Sequence, residues 1–392
     1  MVPDSPRFAA NPQTLVDGSG SPWEASAESW AASSWHLRIA PPEDTRKGHL
    51  RMLTVSVVIC AYTEERWDET LRAVASVQSQ EPAPHQVILV VDYNPELHKR
   101  LAEQLPDLRV VPNNSERGLS GARNTGVALA TGDIVAFLDD DAMARPGWLS
   151  ALMRHYCDPE VIGVGGRTEP GWATRRPAWW PGEFDWVVGG TYIGKEPGVV
   201  RNLTGGNASF RRNLFAIGGF ACHIGRSTGD RRPMACEDTE FCIRAAKAEP
   251  RGVFVYDDQA VITHHVPLAR QSFSYFRSRC LAEGLSKARM TESVGFRAGL
   301  ATERTYTAVT LPAGLLRGLR RGAHGDWAGL RSAGAIIVGL MYTTLGFSLG
   351  LVSRAVGWCR EVAGRRSRRP LRRVALPTGT GGVRHARPEV VP

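Results

Sequence analysis

Three consecutive carboxylates, Asp139-Asp140-Asp141, close the apolar run that ends in Phe137-Leu138 and form the sharpest chemical signal in the chain. Like charges gathered in this way are costly unless a cation compensates them. In an extended chain Asp139 and Asp141 project to the same side, so the pair can share a divalent metal ion, Mn2+ or Mg2+, with Asp140 beside it. The carboxyl end of a parallel strand is also where open α/β sheets bind ligands. The plain alternative, a strand-to-turn transition with an N-cap Asp, needs one carboxylate and not three.

The elements that must hold this cluster are legible as periodicity. Residues 55–61, VSVVICA, form a near-continuous apolar run, which marks a strand buried on both faces. Leu71, Val74, Ala75 and Val77 recur at helical spacing, and a second apolar run follows at 87–91. A helix at 97–105, a short strand at 109–111, a helix at 121–130 and a strand at 134–138 continue the alternation. This order predicts an α/β class fold with a doubly wound, nucleotide-binding half. Residues 142–270 read as an acceptor half, with a helix at 148–156, a Gly- and Trp-rich stretch at 163–206 and a strand at 252–256.

After Ser272 the pattern turns helical. Phe273, Phe276, Cys280, Leu281 and Leu285 share one face, with Arg277, Arg279 and Lys287 around it, so 271–330 is an amphipathic region suited to a membrane surface. No charged residue separates Arg331 from Arg354. At about 1.5 Å per residue a helix over 331–355 would cross the roughly 30 Å hydrocarbon core. Its Gly, Ala, Ser and Thr content leaves a buried or dimerising soluble helix open beside a membrane-inserted one. A single full span would place the basic tail outside, against the positive-inside tendency.

The chain has 392 residues, 43% of them hydrophobic, enough for one large domain with appendages. Its net charge of +9 is concentrated in a basic, disordered tail at 356–392, which suits anionic lipid or a solvated end. Residues 1–50 read as a flexible leader without the pattern of a secretory signal, and the cysteines show no zinc spacing or disulfide framework. Both features suit a cytoplasmic protein. The tail has no accompanying aromatic motif for nucleic acid.

Taken together the motifs resemble family 2 glycosyltransferases of the GT-A fold, with a mixed sheet of two halves over 51–270. Val57-Val58-Ile59-Cys60-Ala61-Tyr62-Thr63-Glu64 is similar to the family's opening strand and nucleotide-contacting turn, with Thr63 where Asn is commoner. Leu89-Val90-Val91-Asp92 supplies the Asp that resembles the base-recognising residue. The run from Asn114 through Arg117, Gly118, Arg123 and Asn124 looks like the family's Gly-rich turn into an Arg-Asn helix. Thr204-Gly205-Gly206-Asn207 is similar to its acceptor-side segment, and Cys236-Glu237-Asp238-Thr239-Glu240 to the acidic motif that supplies the base. Glu183 to Gly189, which contains Trp186, looks most like enzymes that elongate lipid-linked glycans, including glucuronosyltransferases acting on polyprenyl phosphate carriers.

The resemblance implies inverting transfer from a nucleotide diphosphate sugar, uridine-linked, to an acceptor hydroxyl at the cytoplasmic face of a membrane. The acceptor is a lipid-linked glycan or saccharide. It implies metal binding by Asp141 and Asp139, completed by His265, and a general base at Asp238 or Glu237. Only one of His264 and His265 can reach the site, because adjacent strand residues point to opposite sides. Asp238 can equally be a helix-start carboxylate favoured by the dipole, and Arg117 and Arg123 either face the diphosphate or are solvated. Trp172, Trp179, Trp180, Phe184 and Trp186 are a sugar or lipid platform or the plug of a large loop. A transferase acting on a soluble acceptor and a non-catalytic membrane scaffold of the same fold are the competing readings. An oxidoreductase is excluded by the missing G-x-G-x-x-G turn. Donor sugar and oligomeric state are left open by the residues.

Overall fold

The computed structural model describes residues 53–223, 236–294 and 305–367. The leader at 1–50 and the tail beyond 367 lie outside them.

Strands β1 (Val55–Ala61), β2 (Gln86–Val91), β3 (Arg109–Pro112) and β4 (Ile134–Asp139) are parallel and ordered β3-β2-β1-β4. Helices α1 (Trp67–Gln78), α2 (Pro95–Gln104) and α3 (Leu119–Leu129) connect them. The burial pattern explains the apolar runs. Val57 and Ile59 point into one core with Ala73, Val74 and Val77 of α1, while Val58 points into the other with Phe137, Phe210 and Phe241, the alternation a two-sided strand requires. Asn94 caps α2 by accepting from the Leu97 amide, and Pro95 occupies its first turn.

Beyond β4 come β5 (Ala142–Ala144), α4 (Trp148–Met153), β6 (Val161–Trp172), β7 (Gly198–Val200) and β8 (Asn207–Arg211). Helix α5 (Glu237–Ala248) and β9 (Val253–Val266) complete the half. Strand β8 pairs antiparallel with β4 and β6, β6 runs parallel to β9, and β9 carries β5 and β7 antiparallel. The result is the α/β, doubly wound mixed sheet that the sequence predicts, although β5, β6, β7 and β8 fall where it expects no strand.

The C-terminal part is helical: α6 (Phe273–Val294), a π-turn at Tyr306–Thr310, α7 (Leu311–Ala323) and α8 (Trp327–Ser367). Helices α6 and α8 approach closely through glycine. A Cβ on Gly284 would lie 2.1 Å from the Thr343 carbonyl oxygen, and one on Gly346 would lie 2.1 Å from that of Leu281. The opposite side of α8 exposes Ile337, Met341, Leu345 and Val352. The stretch Trp327–Ser353 is long and apolar enough to cross a membrane, and only 28% of its most apolar window is buried. The sequence places the end of this helix at 355 and a disordered tail from 356. The helix continues to Ser367 because its Arg, Glu and Ala residues favour helix and the first proline comes at Pro370.

Candidate active site

Parallel pairing aligns the carboxyl ends of three strands. Cys60 of β1 pairs with Asp139 of β4, Ala61 pairs with Val91 of β2, and the Asp92 amide donates to the Ala61 carbonyl at 2.8 Å. Ala61, Asp92 and Asp139 therefore sit at one edge, where a cavity of about 340 Å³ opens. The antiparallel partner β8 sets Asn207 opposite Leu138, which brings Gly206 against the next residue, Asp139. A Cβ on Gly206 would lie 2.2 Å from Asp139 Oδ2, so only glycine fits.

Asp92 is held by the Gly118 amide, at 3.1 and 3.0 Å from its two oxygens, and by Asn113 Nδ2 at 2.7 Å. Gly118 adopts φ +122°, a left-handed value that a glycine reaches without strain and that turns its amide to the carboxylate before α3 begins.

The three strand-end acids have separate surroundings. Asp139 accepts from Arg123 Nη2 at 3.2 Å, and Arg123 Nη1 reaches Glu237 Oε1 at 3.2 Å, so one buried guanidinium ties β4 to the start of α5. Asp140 Oδ1 takes Arg66 Nη1 at 2.6 Å, while its buried Oδ2 has no hydrogen-bond partner. Burial pushes the Asp140 carboxyl up to about 7, against the pull of Arg66. Asp141 meets His264 Nε2 at 3.1 Å, Arg66 Nη2 at 3.0 Å and Arg270 Nη1 at 3.9 Å. Burial opposes its ionisation, but the His264 contact and the two arginines hold it well below the usual carboxylate range.

Asp139, Asp141 and His264 offer ligand atoms that all lie within 4.8 Å of one another. Two hard carboxylates and an imidazole suit a divalent ion of the Mn2+ type. The walls are rich in carboxylates as well, because six acidic side chains and four arginines line the cavity. His264, not His265, is the histidine of this cluster. The register of β9, with Ala142 of β5 opposite His264, turns the His264 ring inward. The ring of His265 goes to the other side, with Nε2 3.9 Å from Glu69 Oε1, while its amide donates to the Asp141 carbonyl.

In the same cavity, α5 starts at the acidic motif, tied to Asp139 through Arg123. Asp238 accepts from the Gly205 amide at 2.8 Å through Oδ2 and from the Thr239 amide at 2.7 Å through Oδ1, and it lines the cavity. Just before it, Cys236 has φ +88°, a strained value for a residue with a side chain, as often found where a functional group is aimed. Glu237 lines the cavity too, paired with Arg123.

Of the residues singled out in the sequence, Ala61, Tyr62, Asp92, Arg123, Asp139, Asp140, Asp141, Trp186, Gly206, Glu237 and Asp238 line the cavity. Four do other work. Glu64 is exposed and accepts from Asn94, Arg117 lies over the Tyr93 ring, and Asn124 holds the Phe220 backbone through both ends of its amide. Asn207 is fully buried, accepting from Trp148 Nε1 and donating to the Arg167 and Ala260 carbonyls, so it braces β8 rather than facing an acceptor. Of the aromatic group, Trp180 and Phe184 are buried against Phe276, with Trp172 and Trp179 packed on them; only Trp186 faces the cavity. The plug describes four of the five rings. Arg66, Arg270, Tyr275 and Arg279 also line the cavity and carry no motif that marks them.

The fold and the strand-end acids define a ligand site of the open α/β sheet type. The model for glycosyl transferase family 2 matches residues 56–218. The glucosyl-dolichyl phosphate glucuronosyltransferase of Haloferax volcanii is 36% identical over 242 residues, covering 60% of this chain and 76% of that protein. The succinoglycan biosynthesis protein ExoM of Rhizobium meliloti is 27% identical over 246 residues, 61% of this chain and 75% of that one. Among solved structures, mannosyltransferase PcManGT from Pyrobaculum calidifontis in complex with GDP-Man and Mn2+ aligns with a TM-score of 0.49 and 20% identity, covering 85% of this chain and 92% of that one. The chain belongs to glycosyl transferase family 2 and is a glycosyltransferase.

Proposed function

We propose that this glycosyltransferase moves a sugar from a uridine diphosphate sugar to a hydroxyl of a lipid-linked glycan, with inversion, at the cytoplasmic face of a membrane. The observation that carries the reading is that Asp139, Asp141 and His264, which can hold a metal ion together, line the same cavity as Asp238 at the start of α5. Inverting displacement needs a deprotonated hydroxyl on one side of the anomeric carbon and a neutralised diphosphate on the other. A divalent ion held by Asp139, Asp141 and His264 would act as Lewis acid toward the diphosphate. Asp92, fixed by Gly118 and Asn113, receives the base of the nucleotide.

Asp238 is the general base, a role that contributes roughly 10²–10⁴-fold. The Gly205 and Thr239 amides aim its carboxylate, whereas Glu237 is engaged by Arg123. Arg123 keeps Asp139 and the α5 start in one frame. The lipid-linked acceptor is supported by the likeness to a dolichyl phosphate enzyme and by the exposed apolar side of α8. Residues 51–270 form the catalytic domain, 271–330 an interfacial region and 331–355 a membrane-associated helix, with the basic tail toward anionic lipid.

The test is release of UDP from a panel of uridine diphosphate sugars with Mn2+ or Mg2+, with and without chelator. Asp141→Ala should abolish release while leaving the thermal transition in place. Undiminished turnover after thorough chelation would refute the metal role.

A further inference from the structure

The cavity has a second pole. Arg279 of α6 lines it while only 9% exposed, and its Nη1 donates to Glu283 Oε2 at 2.9 Å. Glu283 is shared, because Lys287 Nζ reaches its other oxygen at 3.4 Å. Glu283 thus divides its two oxygens between Arg279 and Lys287. A guanidinium taken nine-tenths out of water is costly unless its charge is fully matched, and it presents a flat fork suited to phosphate oxygens. Tyr275, one helical turn before it, lines the same cavity and brings a hydroxyl to that wall.

The wall leads outward to an apolar surface. The Arg279 guanidinium lies 5.9 Å from the Trp186 ring, and Trp186 Nε1 donates to Tyr306 Oη at 3.0 Å. Tyr306 Oη in turn donates to the Glu183 carbonyl, and the Glu183 carboxylate pairs with Arg317 of α7. Helix α7 exposes Leu316 and Leu319 beside Arg317, Arg320 and Arg321. A connected series of contacts thus runs from a buried cation in the cavity to an exposed amphipathic helix with no acidic residue. That is the layout an amphiphile with an anionic head and an apolar tail requires.

We propose that Arg279, with Tyr275, forms a metal-independent anion subsite for the phosphate of the lipid-linked acceptor, with the lipid leaving along Trp186 and α7. The subsite rests on the reading of the chain as a transferase to lipid-linked acceptors and supplies its selectivity. The acidic pole takes the donor diphosphate through a cation; the Arg279 pole takes a second phosphate directly. The two anions are kept apart by charge.

The test uses the full chain in detergent and the short prenyl phosphate citronellyl phosphate against citronellol, read by tryptophan fluorescence in EDTA. Wild type should prefer the phosphate by about tenfold or more, as a charge-assisted contact gives. Arg279→Gln should lose that preference while keeping the wild-type affinity for citronellol and for UDP with Mn2+. Glu283→Gln, which frees the guanidinium from its shared partner, should raise the preference, an effect of opposite sign that loss of packing does not produce. An unchanged preference in both variants, or none in wild type, would overturn the subsite. So would a selective loss of UDP-glucuronate over UDP-glucose affinity in Arg279→Gln, because the guanidinium would then serve the donor sugar. Failure of wild type to bind UDP with Mn2+ is a separate outcome that sinks the donor reading and leaves the prenyl phosphate comparison readable.

Discussion

Replacing Gly206 with Ala perturbs the cavity by a single methyl group. The added Cβ would stand 2.2 Å from Asp139 Oδ2 and 2.7 Å from its Cγ, while ordinary carbon–oxygen contact begins near about 3.3 Å. The carboxylate must therefore retreat by about 1 Å, and it is tied to Arg123 at 3.2 Å, so its way out is constrained. A displacement of about 1 Å in a reacting constellation costs on the order of 100-fold. The assay is kcat/KM for UDP-sugar turnover with Mn2+, together with Mn2+ affinity and the thermal midpoint. The control is Gly334→Ala in α8, where a Cβ would meet nothing within 4 Å and helix propensity favours alanine. Gly206→Ala with wild-type kcat/KM and Mn2+ affinity would refute the placement of Asp139 in the metal site.

Three further outcomes follow from the geometry. Asp238→Asn should bind UDP as wild type does and lose transfer by roughly 10²–10⁴-fold; transfer at the wild-type rate would move the base to Glu237. His264→Ala should weaken Mn2+ binding about tenfold or more while His265→Ala leaves it nearly unchanged, measured by calorimetric titration; the reverse order would restore His265 to the cluster. Burial raises the Asp185 carboxyl to about 6, above the usual carboxylate range, despite Arg176, so the folded state holds this proton more tightly than the unfolded chain. The group therefore costs no stability below about pH 4, a cost that grows as pH rises toward 6 and is complete above it. Asp185→Asn should flatten the fall of stability across that window in urea melts, and an unaltered slope would contradict the shift.

Much of the sheet from β1 to β4 could be read from the sequence because its chemistry and its periodicity coincide. Buried parallel strands announce themselves as apolar runs, and the acids at their ends stand out against them. The part after β4 was less legible. Strand β6 carries Gly163, Gly165 and Gly166, where a Cβ would strike Phe254 and Phe210, Leu203, and the Ala260 carbonyl respectively. Close approach of neighbouring side chains and backbone, and not strand propensity, fixes those residues, so the run reads as loop. The choice between His264 and His265 depends on the β5–β9 register, a long-range pairing that no local pattern displays. Asn207 sits inside a motif yet is spent on Trp148 and two carbonyls, because the sequence marks the segment and not the direction of each side chain. Arg66, Arg270 and Arg279 reach the cavity from helical and turn segments whose basic residues look like solvated surface until the tertiary fold turns them inward.

The central claim is met most directly by growing crystals with UDP and Mn2+ and locating the metal by its anomalous signal. One peak should lie between the carboxylates of Asp139 and Asp141 and the His264 imidazole, in contact with the UDP diphosphate, with Asp238 across the cavity from it. A peak elsewhere, or UDP bound outside this cavity, would contradict the account.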